Sequence, residues 1–358
     1  MTNIEQMLPP QGEDRLENAI ELKDVEGLSQ GQVVFRRFVR HKGAMIGMVV
    51  LLCIVLLAAT SIGWGPIPGW WKWGYNATGA VEIPGGRPTI SLGGERGWQI
   101  GNFPFGQDEL GRDMFSRTMR GTQQSLMVMV VIGLISTMIG IVIGATAGFF
   151  RGRTDQLLMR FTDVFLVLPT IVIGAVLGKL VGAVSAILLA TTLGLISWTG
   201  LARLVRGDFL ALREREFVDA ARVAGSSNTR IIFKHMIPNA MGVIIVNTTL
   251  LMSAAILLET ALSYLGFGIV FPDISLGQLI NQYQTAFSTR PWLFWWPGLL
   301  IVTIALCINF IGDGLRDAVD PRHRRIPTAR RLKRTARRDA RVVRGADEAA
   351  AAPGMPRP

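Results

Sequence analysis

The chain has 358 residues, 49% of them apolar, with a further 40 glycines and only 18% charged. Its mean hydropathy is +0.37, and a soluble domain ordinarily carries about 25% charged residues, so soluble and disordered classes are both disfavoured. The chain is nonetheless basic, with 37 Lys and Arg against 26 Asp and Glu. Spread evenly, that excess implies a polyanionic partner; confined to one side of apolar spans, it implies a membrane topology.

Residues 1–35 carry seven acids and two bases without a sustained apolar period, and are read as a weakly structured lead. With the basic run that follows they form an N-terminal segment, 1–43. An uncharged apolar run of about 18 or more residues is long enough to cross a hydrocarbon core as a helix. Six such spans are expected: 44–62; a second within 121–150, with its core at 126–149; a third and fourth sharing 157–202, with a turn at Lys179 and Gly182; 237–258; and 291–312. Runs this long exclude a β-barrel, whose strands alternate over about ten residues. The fold class is an all-α integral membrane protein. The first run starts too late and is too long for a removable signal peptide, and is kept as an anchor.

Charge then sets orientation. Arg36, Arg37, Arg40 and Lys42 precede span one without an acid among them, which places the N-terminus in the cytoplasm. In a six-span chain the other basic loops fall on the same side: Arg151, Arg153 and Arg160 after span two, and Arg203 to Lys234 after span four. The tail 316–358 has thirteen bases and five acids and reads as a topogenic, disordered segment, with attraction to anionic membrane lipid as the alternative. The outer loop at 63–124 is mixed, with six bases and five acids. It opens on Trp64, Trp70, Trp71, Trp73 and Tyr75, the composition of an interfacial aromatic belt, and 81–100 is expected to hold a short hairpin. Asn76-Ala-Thr78 matches a glycosylation triplet, which chance also produces.

Several chemistries lack their residues. Cys53 and Cys307 lie inside spans, His41, His235 and His323 are far apart in sequence, and Gly174-x-x-x-Gly178-Lys179 is a residue short of a phosphate loop and lies in a span. No catalytic residue, metal or cofactor site is expected. Energised work would need an ATPase on another chain.

The segment 205–238 is more patterned than a connector requires. Apolar residues recur at helical spacing through Phe217, Val218, Ala221 and Val223; Gly225 with Ser226, Ser227 and Asn228 offers a helix stop and a new N-cap, so two short amphipathic helices should meet there. Such a helix at the membrane surface is suited to docking in a groove on a partner.

Asp219-Ala220-Ala221-x-x-x-Gly225, followed after nine residues by His235-x-Ile237-Pro238, resembles the EAA signature of ATP-binding-cassette importer permeases. Asp219, His235 and Ile237 stand where that family usually has Glu, Ile and Leu. Phe105-Gly-x-Asp108-Glu-Leu-Gly111-Arg112-Asp113, Leu262-Ser-Tyr-Leu-Gly-Phe-Gly268 and Asn309-x-x-Gly312-Asp313-Gly-Leu-Arg316 to Arg322 resemble its dipeptide/oligopeptide/nickel class. The resemblance covers about 36–324 and implies a permease core at 125–315. It also implies a similar second permease, two ATPase chains that bind ATP and Mg, and an extracytoplasmic binding protein. ATPase coupling would fall on Asp219, Ala220, Ala221, Gly225, Ser226, Ser227 and Arg230. Peptides are the implied cargo, with nickel chelates or oligosaccharides as alternatives.

Gly140, Gly144 and Gly148 repeat every fourth residue and predict a close-contact helix face. Asp163 and Glu259 stand near span margins. Glu259 has two readings, attraction of a peptide ammonium in a substrate path or an inter-helix partner. An ion-coupled transporter would place acids at span centres, and those are absent; a scaffold without transport would lack ATPase partners. A nucleic-acid binder is excluded because the bases follow topology.

Overall fold

In lipid a backbone polar group has only its own segment to bond to, so long apolar runs close their hydrogen bonds as helices. The computed structural model describes residues 30–92, 98–181 and 185–319. Its helices are α1 (Gln30–Arg40), α2 (Lys42–Ser61), α3 (Met114–Phe150), α4 (Gly152–Val167), α5 (Thr170–Val181), α6 (Ala186–Gly194), α7 (Thr199–Leu212), α8 (Glu216–Val223), α9 (Ile237–Tyr264), α10 (Leu276–Tyr283) and α11 (Trp292–Val319). Two antiparallel hairpins pair β1 (Gly63–Trp64) with β2 (Ile67–Pro68), and β3 (Ser91–Leu92) with β4 (Trp98–Gln99). The second is the short hairpin expected within 81–100.

Five helical segments are long and apolar enough to cross a bilayer: α2, α3, the α6–α7 stretch, Asn228–Tyr264 and α11. The pair α4–α5 bends by 70° and brings the number to six when taken as one broken span. The break falls at Leu168-Pro169, where proline's missing N–H and its steric demand on the preceding residue end a helix. The sequence signal for it was present, but the apolar run across it hid it.

Several boundaries differ from the sequence expectation. Residues 30–35 belong to α1 and not to a weakly structured lead. Val34 and Phe38, one helical turn apart, pack with Ile311, Leu315 and Ala318 of α11, a partner the local sequence does not announce. The segment assigned to a loop from 205 is helical to Leu212, because Val205 and Phe209 are fully buried against α3 and continue the core of span four. Span two is extended at its N-terminal end by three turns to Met114, where Asp113 caps the helix by accepting from the N–H groups of Phe115 and Ser116. The expectations for the chain before Gln30 and beyond Val319, and for the turn at Gly182, lie outside the described residues.

The glycine face of α3 is a helix-helix contact. A Cβ on Gly140 would lie 3.0 Å from Leu201, one on Gly144 2.4 Å from the Ala202 carbonyl oxygen, and one on Gly148 2.6 Å from Phe209. The three positions let α7 lie against α3 at backbone distance.

The described parts of the loop 63–113 form a cap over the span ends near Ile62 and Phe115. Asp108 ties it together: its carboxylate accepts from the N–H groups of Leu110 and Arg112, from Arg112 Nε at 2.6 Å and from the Tyr283 hydroxyl at 2.8 Å. Burial holds the Tyr283 phenol above its ordinary value, against the pull of the Arg117 charge, which keeps it a donor to Asp108. The indole of Trp71 donates to Asp113 at 2.7 Å and its ring lies 4.6 Å from Phe115; Trp73 stacks on Phe103. These two tryptophans pack within this cap, whereas Trp70 is 60% exposed. The aromatic run is therefore partly structural, a distinction its composition could not supply.

Candidate functional site

The connection between α7 and α9 carries the densest pattern in the sequence, and its local structure follows from residue type. In α8, Val218 and Ala221 are buried in a cluster with Phe149, Val205, Phe209, Ile231, Met236 and Ala240. The opposite face is open: Phe217, Asp219, Ala220, Val223 and Ala224 are exposed, Val223 to 90%. An apolar side chain held out at that level on a short helix is unusual for a solvated connector.

Beyond Ala224 the backbone turns. Gly225 has φ +74°, its N–H bonds to the Arg222 carbonyl at 2.9 Å, and the Ser226 N–H bonds to Ala221 at 3.0 Å. This paired arrangement is the Schellman stop, which demands a left-handed residue and so favours glycine. Ser227 then caps the next turn, accepting from the Arg230 N–H. The second helix expected there is no separate element. Asn228–Arg230 runs into a wide π-type turn, Ile231–Met236, in which the Ile237 N–H reaches back to the Ile232 carbonyl, and then into α9. Ile231 and Met236 are fully buried and hold the turn against the core. Of the sequence-assigned positions, Asp219, Ala220, Gly225, Ser227 and Arg230 are exposed, Ser226 is half-buried, and Ala221 faces inward as the anchor.

Arginines bind this element to the span ends. Arg213 donates to the Phe149 carbonyl, and both Arg213 and Arg222 lie over the Phe149 ring at 5.8 and 5.9 Å. Burial, with the Arg151 and Arg222 charges adding to it, holds Arg213 below its ordinary value, and Glu214 opposes this. Arg151 reaches Glu214 at 2.6 Å and the Leu210 carbonyl at 3.3 Å. Arg206 grips Asp155 of α4 with two bonds of 2.5 and 2.7 Å, and Arg203 pairs with Asp163. Asp163 therefore has its partner across spans three and four. These arginines looked only topogenic in the sequence; the acid partners of Arg151, Arg203 and Arg206 are 40 and more residues away, whereas Arg222 pairs locally with Asp219. Val218→Asp is expected to cost more than about 2 kcal/mol by placing an unpaired charge in the cluster, read as a lower melting temperature of the purified complex.

Glu259 lies elsewhere, near the C-terminal end of α9. It is fully buried, accepting from Ser125 at 2.9 Å and Ser263 at 2.7 Å. Those serines in turn accept from the N–H groups of Leu276 and Ile269, so the carboxylate joins α3, α9 and the 269–276 segment. This is the inter-helix arrangement. Glu259→Leu, which leaves both hydroxyls without their acceptor, is expected to lower stability by about 1–3 kcal/mol. Glu259→Gln should leave the relative uptake of acidic, neutral and basic cargo unchanged; a shifted charge preference would instead favour the substrate-path reading.

Among the described residues there is no group of three or more His, Cys, Asp or Glu side chains placed to hold a metal ion. The break between α4 and α5 borders a cavity of about 360 Å³, lined by Ile132, Phe165, Leu168, Thr170, Ser197 and Leu258 among others. Sequence reasoning missed this feature, and Pro169 was the signal that could have found it.

Broken and continuous apolar spans, with a capped helix fastened to their ends, define a multi-pass membrane protein. The family model of the binding-protein-dependent transport system inner membrane component matches residues 140–325, and that of the N-terminal TM domain of oligopeptide transport permease C matches 29–77. The oligopeptide transport system permease protein OppC of Mycobacterium tuberculosis is 36% identical over 300 residues, 84% of this chain and 97% of that protein. Its counterpart from Escherichia coli K12 is 34% identical over 319 residues, 89% of this chain and 100% of that protein. An inward-facing structure of the MetNI methionine ABC transporter has 20% identity and a TM-score of 0.46 over 58% of this chain and 98% of that one. The chain belongs to the family of binding-protein-dependent transport inner membrane components, as an ABC importer permease of the dipeptide/oligopeptide/nickel class.

Proposed function

We propose that the chain forms one half of the transmembrane path of an ATP-driven importer for peptides, paired with a similar second permease and supplied by an extracytoplasmic binding protein. Two ATPase chains on the cytoplasmic side bind and hydrolyse ATP with Mg. Both termini of the permease are cytoplasmic, in a bacterial inner or plasma membrane.

The observation that carries the reading is the two-sided character of α8. Its inner side is buried on Phe149 and Phe209, one at the end of α3 and the other in α7. Its outer side presents Asp219, Ala220 and Val223, ending in the exposed Gly225 turn. A partner seated on the outer side would move the inner side with it, because close-packed interiors transmit displacement. Asp219, Ala220, Gly225, Ser226, Ser227 and Arg230 are the proposed contact set, with Ala221 holding the helix to the spans. Closure of the ATPases would displace this element, and α3 and α7, joined through the glycine face, would tilt together. The broken span α4–α5, with its cavity, is the segment able to change its angle. Alternating access of a central path follows from two such arrangements.

The relatives named above as oligopeptide permeases support peptides as cargo. An ion-coupled mechanism would use acids at a broken span, but the break at Leu168-Pro169 is lined by apolar and hydroxyl side chains. The test is uptake of a radiolabelled tripeptide by cells lacking this chain. Wild-type chain restores ATP-dependent uptake; restored uptake that persists after ATP depletion and stops when the proton gradient is collapsed would overturn the reading.

A further inference from the structure

Bases are scarce on the outer face, and those described in the 63–124 loop are mostly committed. Lys72 bonds to Asn102, Arg112 to Asp108, Arg117 to the Tyr75 carbonyl and Gln282, and Arg120 to Asp273. Arg87 is the exception. Among the described residues its side chain has neither hydrogen bond nor ion pair, and the same holds for Arg290, which precedes α11. These two arginines, 203 positions apart in the sequence, line one cavity.

That cavity has a volume of about 890 Å³ and lies between the 83–89 and 101 segments of the outer cap and the 289–292 segment. Ile83, Thr89, Gly101 and Trp292 complete the part of its wall that matters here, and no acidic residue lines it. Arg290 Nη1 and Trp292 Nε1 are shielded from solvent and have no hydrogen-bond acceptor. With no acid on the wall and no acceptor for these donors, the charges of Arg87 and Arg290 are uncompensated within the recess. A guanidinium binds a carboxylate through two parallel bonds, so two of them in one recess select for acidic groups. Crossing a membrane does not require such a recess, and the loop that builds it lies outside the span core.

We infer that this cavity is a docking pocket for an acidic segment of the binding protein, in which Arg87 and Arg290 receive its carboxylates. The inference rests on the proposed function, which puts residues 63–124 and 290 on the outer face where the binding protein arrives. Complementary charge at such a site chiefly raises the association rate, and does so most at low salt.

The experiment uses the whole transporter in nanodiscs, with its own binding protein purified and fluorescently labelled. Affinity is measured between 20 and 300 mM salt, and ATPase activity with and without the binding protein. Arg87→Ala combined with Arg290→Ala is expected to weaken binding about tenfold at low salt and flatten the salt dependence, with basal ATPase activity unchanged. Arg87→Lys with Arg290→Lys should keep most of the salt dependence while losing affinity, since lysine retains the charge but not the paired bonds. Unchanged affinity and salt slope in the double Ala variant would overturn the proposal. So would a selective loss of uptake for acidic peptides at unchanged binding-protein affinity, which would assign the pocket to cargo. Failure of the underlying importer reading looks different: the wild-type complex itself would neither bind the protein nor respond to it in ATPase activity.

Discussion

Replacing Gly225 with Arg is expected to reduce ATP-driven uptake by at least about 30-fold, the loss that corresponds to removing ~2 kcal/mol from a central interface contact. The complex should nevertheless retain its pair of permeases. A Cβ at Gly225 meets nothing within 4 Å, so the larger side chain projects from the surface and does not disturb the buried Val218 and Ala221. The internal cost is confined to the left-handed backbone, roughly 1–2 kcal/mol for a residue with a side chain. Gly225→Ala isolates that cost and should keep most uptake. The two contributions separate experimentally: retention of ATPase chains during purification reports docking, and thermal melting of the permease pair without ATPases reports the fold. Unchanged uptake in the Arg variant would sink the proposal that this turn couples to the ATPases.

Gly144→Leu acts on the other end of the same lever. Its Cβ would stand 2.4 Å from the Ala202 carbonyl oxygen and 2.8 Å from Val205 Cβ. Backbone on the facing helix cannot rotate away, so α3 and α7 must separate. Overpacking of this kind costs about 1–3 kcal/mol, and a backbone obstacle puts the change at the upper end. The expected result is a melting temperature lowered by several degrees, and loss of uptake even where the protein remains folded, because α7 no longer follows α3. Gly207→Ala is the matched control: that position has open space around its Cβ, and its effect should stay within about 0.5 kcal/mol. Equal melting for Gly144→Leu and Gly207→Ala would show that the glycine face does not set the helix contact.

Much of the architecture was legible because bilayer physics acts on short windows of sequence. A run such as 44–62 must be helical, since nothing else closes its backbone bonds in lipid, and α2 covers Lys42–Ser61. The stop at Gly225 was legible for a comparable reason: glycine followed by serines is a local backbone instruction. The glycine repeat at 140, 144 and 148 announced a close contact, though not that its partner would be α7. Misreadings arose where a residue's role depends on something distant in the chain. Residues 30–35 looked unstructured because the surface that α1 packs on belongs to α11, almost 280 positions later. Trp71 looked interfacial because its acceptor, Asp113, is 42 positions away.

The sequence motifs at 105–113 and 262–268 show the same division. Resemblance associated them with a class of permease. Only the folded chain shows that they serve as fastenings, Asp108 holding Arg112 and Tyr283, and Ser263 joining Glu259 to Ile269.

By itself, then, the sequence determined that the chain spans a membrane, where its helices begin to be possible and which loop carries a pattern beyond that of a connector. Each of these depends on hydrophobicity, charge or backbone preference within a window of about twenty residues. The tertiary structure decided which face of α8 is anchored and which is free, that Glu259 is closed in by serines, and that Arg87 and Arg290 share one cavity. Those are properties of side chains brought together across many turns of chain, and a buried or unpaired group is defined only by what surrounds it.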